Sequence, residues 1–353
     1  MTARSAGPAR RPGTSADRRP GTSAARRRLA GGAFAALVAL GLAACATPVP
    51  EPAPDAVPAV PPPALTVVQS TDVLDQIGDV LATGDAALDA AGLPARLEGP
   101  ALAIRTAEYV RATATAGERP PVTLPMDAQT TIVPNSTSWP RTQMVVTVQP
   151  DDLQAPLLLV LEQSAPREPY RLWGWARLGP SVQMPATAEP EVGSAPVAPD
   201  DSSLLMSPTE ALAQYADVLT NGDASPHAAT FPADFFQTAL HDARGQTTAS
   251  LQEVATVAET VAPVDGEVTA LQTADGGAIV VGELSTVTTI TLSQGSITLS
   301  DPFDAALAGK DSVTSNLVRT WTDVVALYVP PAGGAEQVQV LAAEHARTSV
   351  TGE

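Results

Sequence analysis

His227, Asp234 and His241 stand seven residues apart. On one unbroken helix that spacing would bring two imidazoles and a carboxylate to a single face. Such a set could exchange protons with a substrate or hold a metal ion. Pro232 falls inside the run and interrupts a helix there, so the three are also read as scattered surface groups. The remaining histidine, His345, sits beside Glu344 near the C-terminus and is expected in solvent. A second candidate is YRLWGWARL, residues Tyr170–Leu178. On a strand, Arg171, Trp173, Trp175 and Arg177 share one face. Two indoles flanked by guanidinium groups could stack a sugar or hold an anion through cation–π contacts and charge-assisted hydrogen bonds. The opposing reading puts the tryptophans in the core, with the arginines reaching outward from the strand ends. The sequence holds no Gly-x-Ser-x-Gly elbow, phosphate-binding loop, dinucleotide fingerprint or His-Glu-x-x-His. No cofactor and no metal ion is expected.

The only cysteine, Cys45, marks an address. The first 28 residues hold eight arginines, one acid and no lysine, and Leu29–Ala44 carries no charge. Sixteen helical residues span about 24 Å, short of the roughly 30 Å hydrocarbon core. A basic region, a short apolar run and small residues after it read as a secretory signal. The stretch LAAC, Leu42–Cys45, resembles the bacterial lipobox, in which the cysteine after small residues is lipidated and becomes the new N-terminus. That resemblance implies a diacylglyceryl thioether with N-acylation, and two or more acyl chains anchor stably where one does not. Arg26–Ala30 leaves Sec and twin-arginine export both open.

Removal of residues 1–44 takes away eight of the 20 basic residues and one of the 38 acids. The remainder carries 12 basic and 37 acidic residues, a net charge of −25. So acidic a chain, with no basic cluster, argues against nucleic acid as a partner. Alanine, proline and arginine are abundant and lysine is scarce, a usage that resembles that of high-GC actinobacteria. Thr47–Leu65 and Pro185–Ser203 are proline-rich and read as extended spacers. The expected organisation is therefore a lipoprotein signal peptide (1–44), a lipidated cysteine and stalk (45–65), a first domain (66–184), a linker (185–203) and a second domain (204–353).

The two domains repeat one another. Leu74–Leu102 laid over Leu212–Leu240 without a gap gives 14 identities in 29 positions. In the second copy Ser207, Pro208 and Glu210 form a capping box with proline at the first helical position. Leu212, Tyr215, Val218 and Leu219 follow as one apolar stripe, matched by Leu74, Ile77, Val80 and Leu81 in the first copy. Gly84 and Gly222 are expected to stop these helices. Asp85 and Asp223 are expected to cap the next ones, which Pro94 and Pro232 end or kink. Strand-like runs follow in both copies: 141–149, 156–163 and 170–178 in the first; 267–273, 278–284, 285–293, 296–300, 320–329 and 336–345 in the second. Asp275–Gly277 and Ser293–Gly295 read as hairpin turns.

Helices followed by a strand meander make an α+β fold, each copy packing its helices on a curved antiparallel sheet. An amphipathic helix, Gly-Asp, a short helix and Pro-Ala before strands resemble NTF2-like, cystatin-related domains, and the resemblance implies a cone-shaped sheet in each copy. Lipobox, stalk and paired α+β blocks together resemble actinobacterial lipoproteins. The expectation is a non-catalytic, lipid-anchored module on the extracytoplasmic face of the cell membrane that binds an envelope protein or wall polymer. A small-molecule carrier using the concave sheet, or an enzyme with a site at His227, Asp234 and His241, are the alternatives.

Overall fold

The computed structural model describes residues 60–150 and 153–353. The signal segment, Cys45 and most of the stalk lie outside the described residues. The fold opens with α1 (Val67–Ala87), a single 3₁₀ turn, and α2 (Gly99–Ala114). Strands β1 (Ala128–Ile132), β2 (Arg141–Thr147), β3 (Leu157–Gln163) and β4 (Arg171–Leu178) follow as a meander. The chain then repeats the theme with α3 (Pro208–Asn221), a 3₁₀ turn, α4 (Phe235–Leu251), β5 (Ala255–Gln272) and β6 (Ala278–Leu292). A small excursion, β7 (Ile297–Thr298), α5 (Pro302–Ala308) and β8 (Ser312–Val313), precedes the long strands β9 (Asn316–Val329) and β10 (Gln339–Gly352).

The α+β class holds, with five helices among the described residues and a large antiparallel sheet. All eight main strands join one sheet, in the order β1-β2-β3-β4-β10-β9-β6-β5. The last strand of each half meets the other antiparallel, over Ala342↔Leu178 and Ala343↔Arg177 alone. Beyond that junction the N-terminal part of β4 takes a different neighbour. Glu98 N–H donates to Leu172 C=O at 3.0 Å, and Leu172 N–H to Arg96 C=O at 2.8 Å. The chain just before α2 is thus wedged beside β4. Side-chain alternation along β9 divides the core. Val324 and Ala326 pack with α1, α2 and β2–β4, while Val325 and Leu327 pack with α3 and α4.

The proline-rich segment expected as a spacer between the halves is bonded along its length. Ser194 N–H donates to Val133 C=O and Asn135 N–H to Ser194 C=O, at 2.8 and 3.0 Å. Gln272 N–H donates to Ala195 C=O and Val197 N–H to Ala270 C=O, at 2.8 and 2.9 Å. Residues 194–197 therefore lie between the two outermost strands and satisfy backbone groups that an edge would leave bare. A further link, Thr269 Oγ1 to Thr142 Oγ1 at 2.9 Å, brings β5 against β2. The last residues of the segment expected as a stalk are also tied down, since Ala64 N–H donates to Pro134 C=O at 2.8 Å.

The twice-written Gly-Asp serves two structures. In α3 the capping box and the glycine stop act as read, whereas Asp223 lies inside the 3₁₀ turn Gly222–Ala224, whose N-cap is Asn221, and does not cap it. Ser207 and Glu210 close the capping box, and Gly222 ends the helix at φ 58°, ψ −135°, a conformation reserved for glycine. In α1 the helix runs through Gly84 to Ala87 and ends on Leu88 in the left-handed region, φ 50°. Gly84 is needed there for space, because a Cβ would lie 2.6 Å from Tyr109 Oη. Asp85 does not cap a helix; it accepts the Tyr109 hydroxyl at 2.7 Å. Gly84→Ala should therefore destabilise the protein by about 1 kcal/mol, the overpacking at Tyr109 exceeding the gain in helix propensity. A urea midpoint equal to or above that of the parent would contradict this.

Candidate functional site

The tryptophan strand is core. Trp175 is fully buried and Trp173 nearly so. Trp175 lies under the Arg105 guanidinium of α2, 5.5 Å from its ring centroid. Of the arginines expected on the same face, Arg171 pairs with Glu98 and Glu168, each at 3.4 Å. Arg177 donates to Ala155 C=O at 2.8 Å. The proposed ligand face is thus corrected. The indoles are covered by α2, with Gly99 at its start against Trp173 and Arg105 over Trp175, which leaves no open indole surface to stack a sugar.

The His227, Asp234 and His241 set is not assembled either. Asp234 is the N-cap of α4, accepting from Phe236 and Gln237 N–H at 2.8 and 2.9 Å and from Tyr215 Oη at 3.1 Å. Burial raises its carboxyl pKa, against these hydrogen bonds and the attraction of His241. His241 Nε2 lies 3.0 Å from Leu219 C=O. His227 stands in the turn before the helix, its N–H donating to Ser225 Oγ. Asp234 begins α4, so His227 lies outside the helix on which the shared face depended. Among the described residues no group of three or more His, Cys, Asp or Glu side chains could hold a metal ion.

His345, expected in solvent, is held in place. Its Nδ1 lies 2.5 Å from Oδ1 of the fully buried Asp323, whose Oδ2 accepts from Thr286 Oγ1 at 2.5 Å. The imidazole stacks on Trp321, with centroids 4.2 Å apart and planes 11° from parallel. Register places these groups together, His345 opposite Asp323 and Thr286 opposite Trp321. No motif spacing could have announced them, because they meet only across strands.

The feature best suited to engage another molecule lies at the free edge of β1. This strand ends the sheet. Its continuation at Val133–Asn135 is paired with Ser194. Ala128, Gln129 and Thr130 are exposed, and among the described residues no hydrogen bond reaches the outer edge of β1. A groove of about 1010 Å³ runs along one side, walled by Val67, Leu74 and Asp75 of α1, by Met126 and Asp127, and by residues 184–190. A second, of about 820 Å³, runs along the other side, past Leu153, Val182 and Met184. Gln129, Thr130, Val148 and Met184 border both. Three large apolar side chains open to solvent line this trough: Val67 at 45 %, Val148 at 47 % and Leu153 at 81 % exposure. Such clustering marks a contact surface more often than a scatter of single residues does. Asp75, Asp127 and Glu189 supply its charges, and no lysine or arginine lines either groove. The sequence hid this site because AQTTI is polar and β1 was not foreseen as a strand.

Among the described residues, no helix is long and apolar enough to cross a membrane. No curated protein and no solved structure matches the chain. The family model described as Domain of unknown function (DUF8094) matches residues 61–352, which include every helix and strand from α1 to β10, and the chain belongs to that family.

Proposed function

We propose that this chain is a lipid-tethered binding protein, held at the extracytoplasmic face of the cell membrane through Cys45. In this reading it engages another envelope component at the open edge of β1. The observation that carries the binding role is the two-sided trough there, with Val67, Val148 and Leu153 left bare. The interior that a small-molecule carrier would keep empty is filled with side chains, from Leu74 and Ile77 to Trp175, which favours contact at the surface.

The tether rests on the LAAC stretch and the proline-rich residues behind it. We further read the fold as a duplicated unit related to NTF2-like domains. Supporting this, each half runs helix, helix and then four strands of the main sheet, and the sheet order is mirrored about the β4–β10 junction.

Two measurements test the reading. Cys45→Ala should move the protein from the membrane fraction to the soluble fraction, and unchanged fractionation would remove the tether. A photo-crosslinker at Gln129 in living cells should capture an envelope component that the same probe at Thr256, on the exposed face of β5, does not. Equal capture at both positions would remove the binding edge.

A further inference from the structure

We infer that the partner at β1 is an extended, positively charged protein segment that adds to the sheet as a ninth strand. This inference rests on the binding role proposed above and names its ligand class.

The backbone supplies the first argument. Val133 C=O and Asn135 N–H point away from β2, since both are taken by Ser194. Backbone direction alternates along a strand, so Thr131, two residues earlier, presents its N–H and C=O to the same outer side. The fold itself therefore already adds a short parallel piece to this line at Ser194 and stops before Thr131. A segment that continued the line would find a donor and acceptor waiting.

The side-chain geometry supplies the second. Successive side chains of a strand point to opposite faces. An added strand thus needs room on both sides of the sheet, and few edges offer it. Here the 1010 Å³ groove lies on the α1 side and the 820 Å³ groove on the other, with Gln129 and Thr130 on the ridge between them. Side chains of one parity would enter the α1-side groove, beside Val67, Met126 and the carboxylates, and apolar side chains of the other parity would cover Leu153 and Val182.

Charge supplies the third. Every charged side chain lining the trough is a carboxylate: Asp75, Asp127 and Glu189, all exposed. The chain as a whole is strongly acidic, with a formal charge of −18. An acidic segment, a second copy of this chain included, would be repelled, whereas lysine or arginine side chains would be drawn in. Backbone pairing with pockets for alternate side chains is an established mode of peptide recognition.

The test uses the purified full chain and a short fluorescent peptide alternating valine and lysine, with binding read by anisotropy. Three comparison peptides separate the causes: valine alternating with glutamate, the same valines and lysines in two blocks, and the alternating peptide N-methylated at every second amide. The alternating valine–lysine peptide should bind at least about tenfold tighter than each, roughly the contribution of one net hydrogen bond or charge contact. Thr131→Pro removes the outward N–H at a position where an edge strand tolerates proline, and should weaken binding about tenfold while the far-UV circular dichroism stays that of the parent. Should that variant not fold, Val148→Lys, placed on the trough rim, should weaken binding to a similar degree.

Equal binding of the N-methylated or block peptide would overturn strand addition in favour of plain charge attraction. No binding of any peptide, together with a Gln129 adduct in cells, would leave the binding edge standing and overturn the peptide as its ligand. A Gln129 crosslink to a second copy of the chain, or to its own residues 45–59, would overturn the partner by assigning the edge to self-pairing or to the tether.

Discussion

Trp175→Ala should lower the unfolding free energy by about 3–5 kcal/mol, the range for truncating a large buried aromatic. The indole is fully buried where β4 lies between β3 and α2. Its removal opens a cavity at the centre of the first core and also uncovers Arg105. That guanidinium is itself fully buried, paired with Glu108 at 3.0 Å and Asp85 at 3.7 Å and donating to Val122 C=O at 2.9 Å. It keeps the ring as cover, 5.5 Å away. Buried charge tolerates little loss of its surroundings, because desolvation is offset only while every contact is in place. The effect should appear as a large drop in urea midpoint with the m-value retained. The same variant decides between the two readings of YRLWGWARL. A ligand-stacking tryptophan would leave stability nearly unchanged and alter binding alone. A core tryptophan does the reverse.

Why one reading of that stretch prevailed bears on how far the sequence speaks. Period-two alternation places Trp173 and Trp175 on one face, yet it cannot say whether that face meets water or α2. Local signals were legible wherever they act locally. The Ser207–Glu210 box, the stop at Gly222 and the apolar stripes of α1 and α3 appear in the fold as the residues require. Gly84 was misread because its constraint comes from Tyr109, 25 residues later, and not from its own backbone. Strand β5 begins at Ala255, twelve residues before the expected start, since ATVAET carries alternation too weak in apolar content to stand out. The two-residue β4–β10 junction was not legible at all. Sheet continuity is made by backbone groups that every residue carries, and two long-range pairs leave no compositional mark. The β1 edge was hidden for the same reason: an open edge is a property of what does not arrive beside a strand.

That junction also sets the second large expectation. Glu344→Gln should stabilise the protein by up to about 3 kcal/mol at pH 8 and leave it nearly unchanged at pH 4. Glu344 directly follows the Ala342–Ala343 pairing to β4, where β10 leaves β4 and α2 packs into the gap. Burial, with Glu108 of α2 as a like charge, pushes its carboxyl up to about 7 from the ordinary 4.5. Arg177 on β4, Arg111 on α2 and His345 beside it on β10 act in the opposite direction and do not win. Glu108 is itself raised by burial, so neither carboxyl readily absorbs a second charge. The sign follows from proton binding. Between about pH 4.5 and 7 the folded chain keeps a proton that the unfolded chain releases, so stability falls as pH rises through that window. Above it the full penalty remains, and glutamine, neutral and nearly isosteric, escapes it. Urea midpoints of parent and variant should therefore converge at low pH and separate above neutrality. A constant offset across the whole range would place the effect in packing and not in charge. Separation of the curves would make the short β4–β10 junction pH-sensitive, because one carboxylate sits beside the two residue pairs that join the halves as strands.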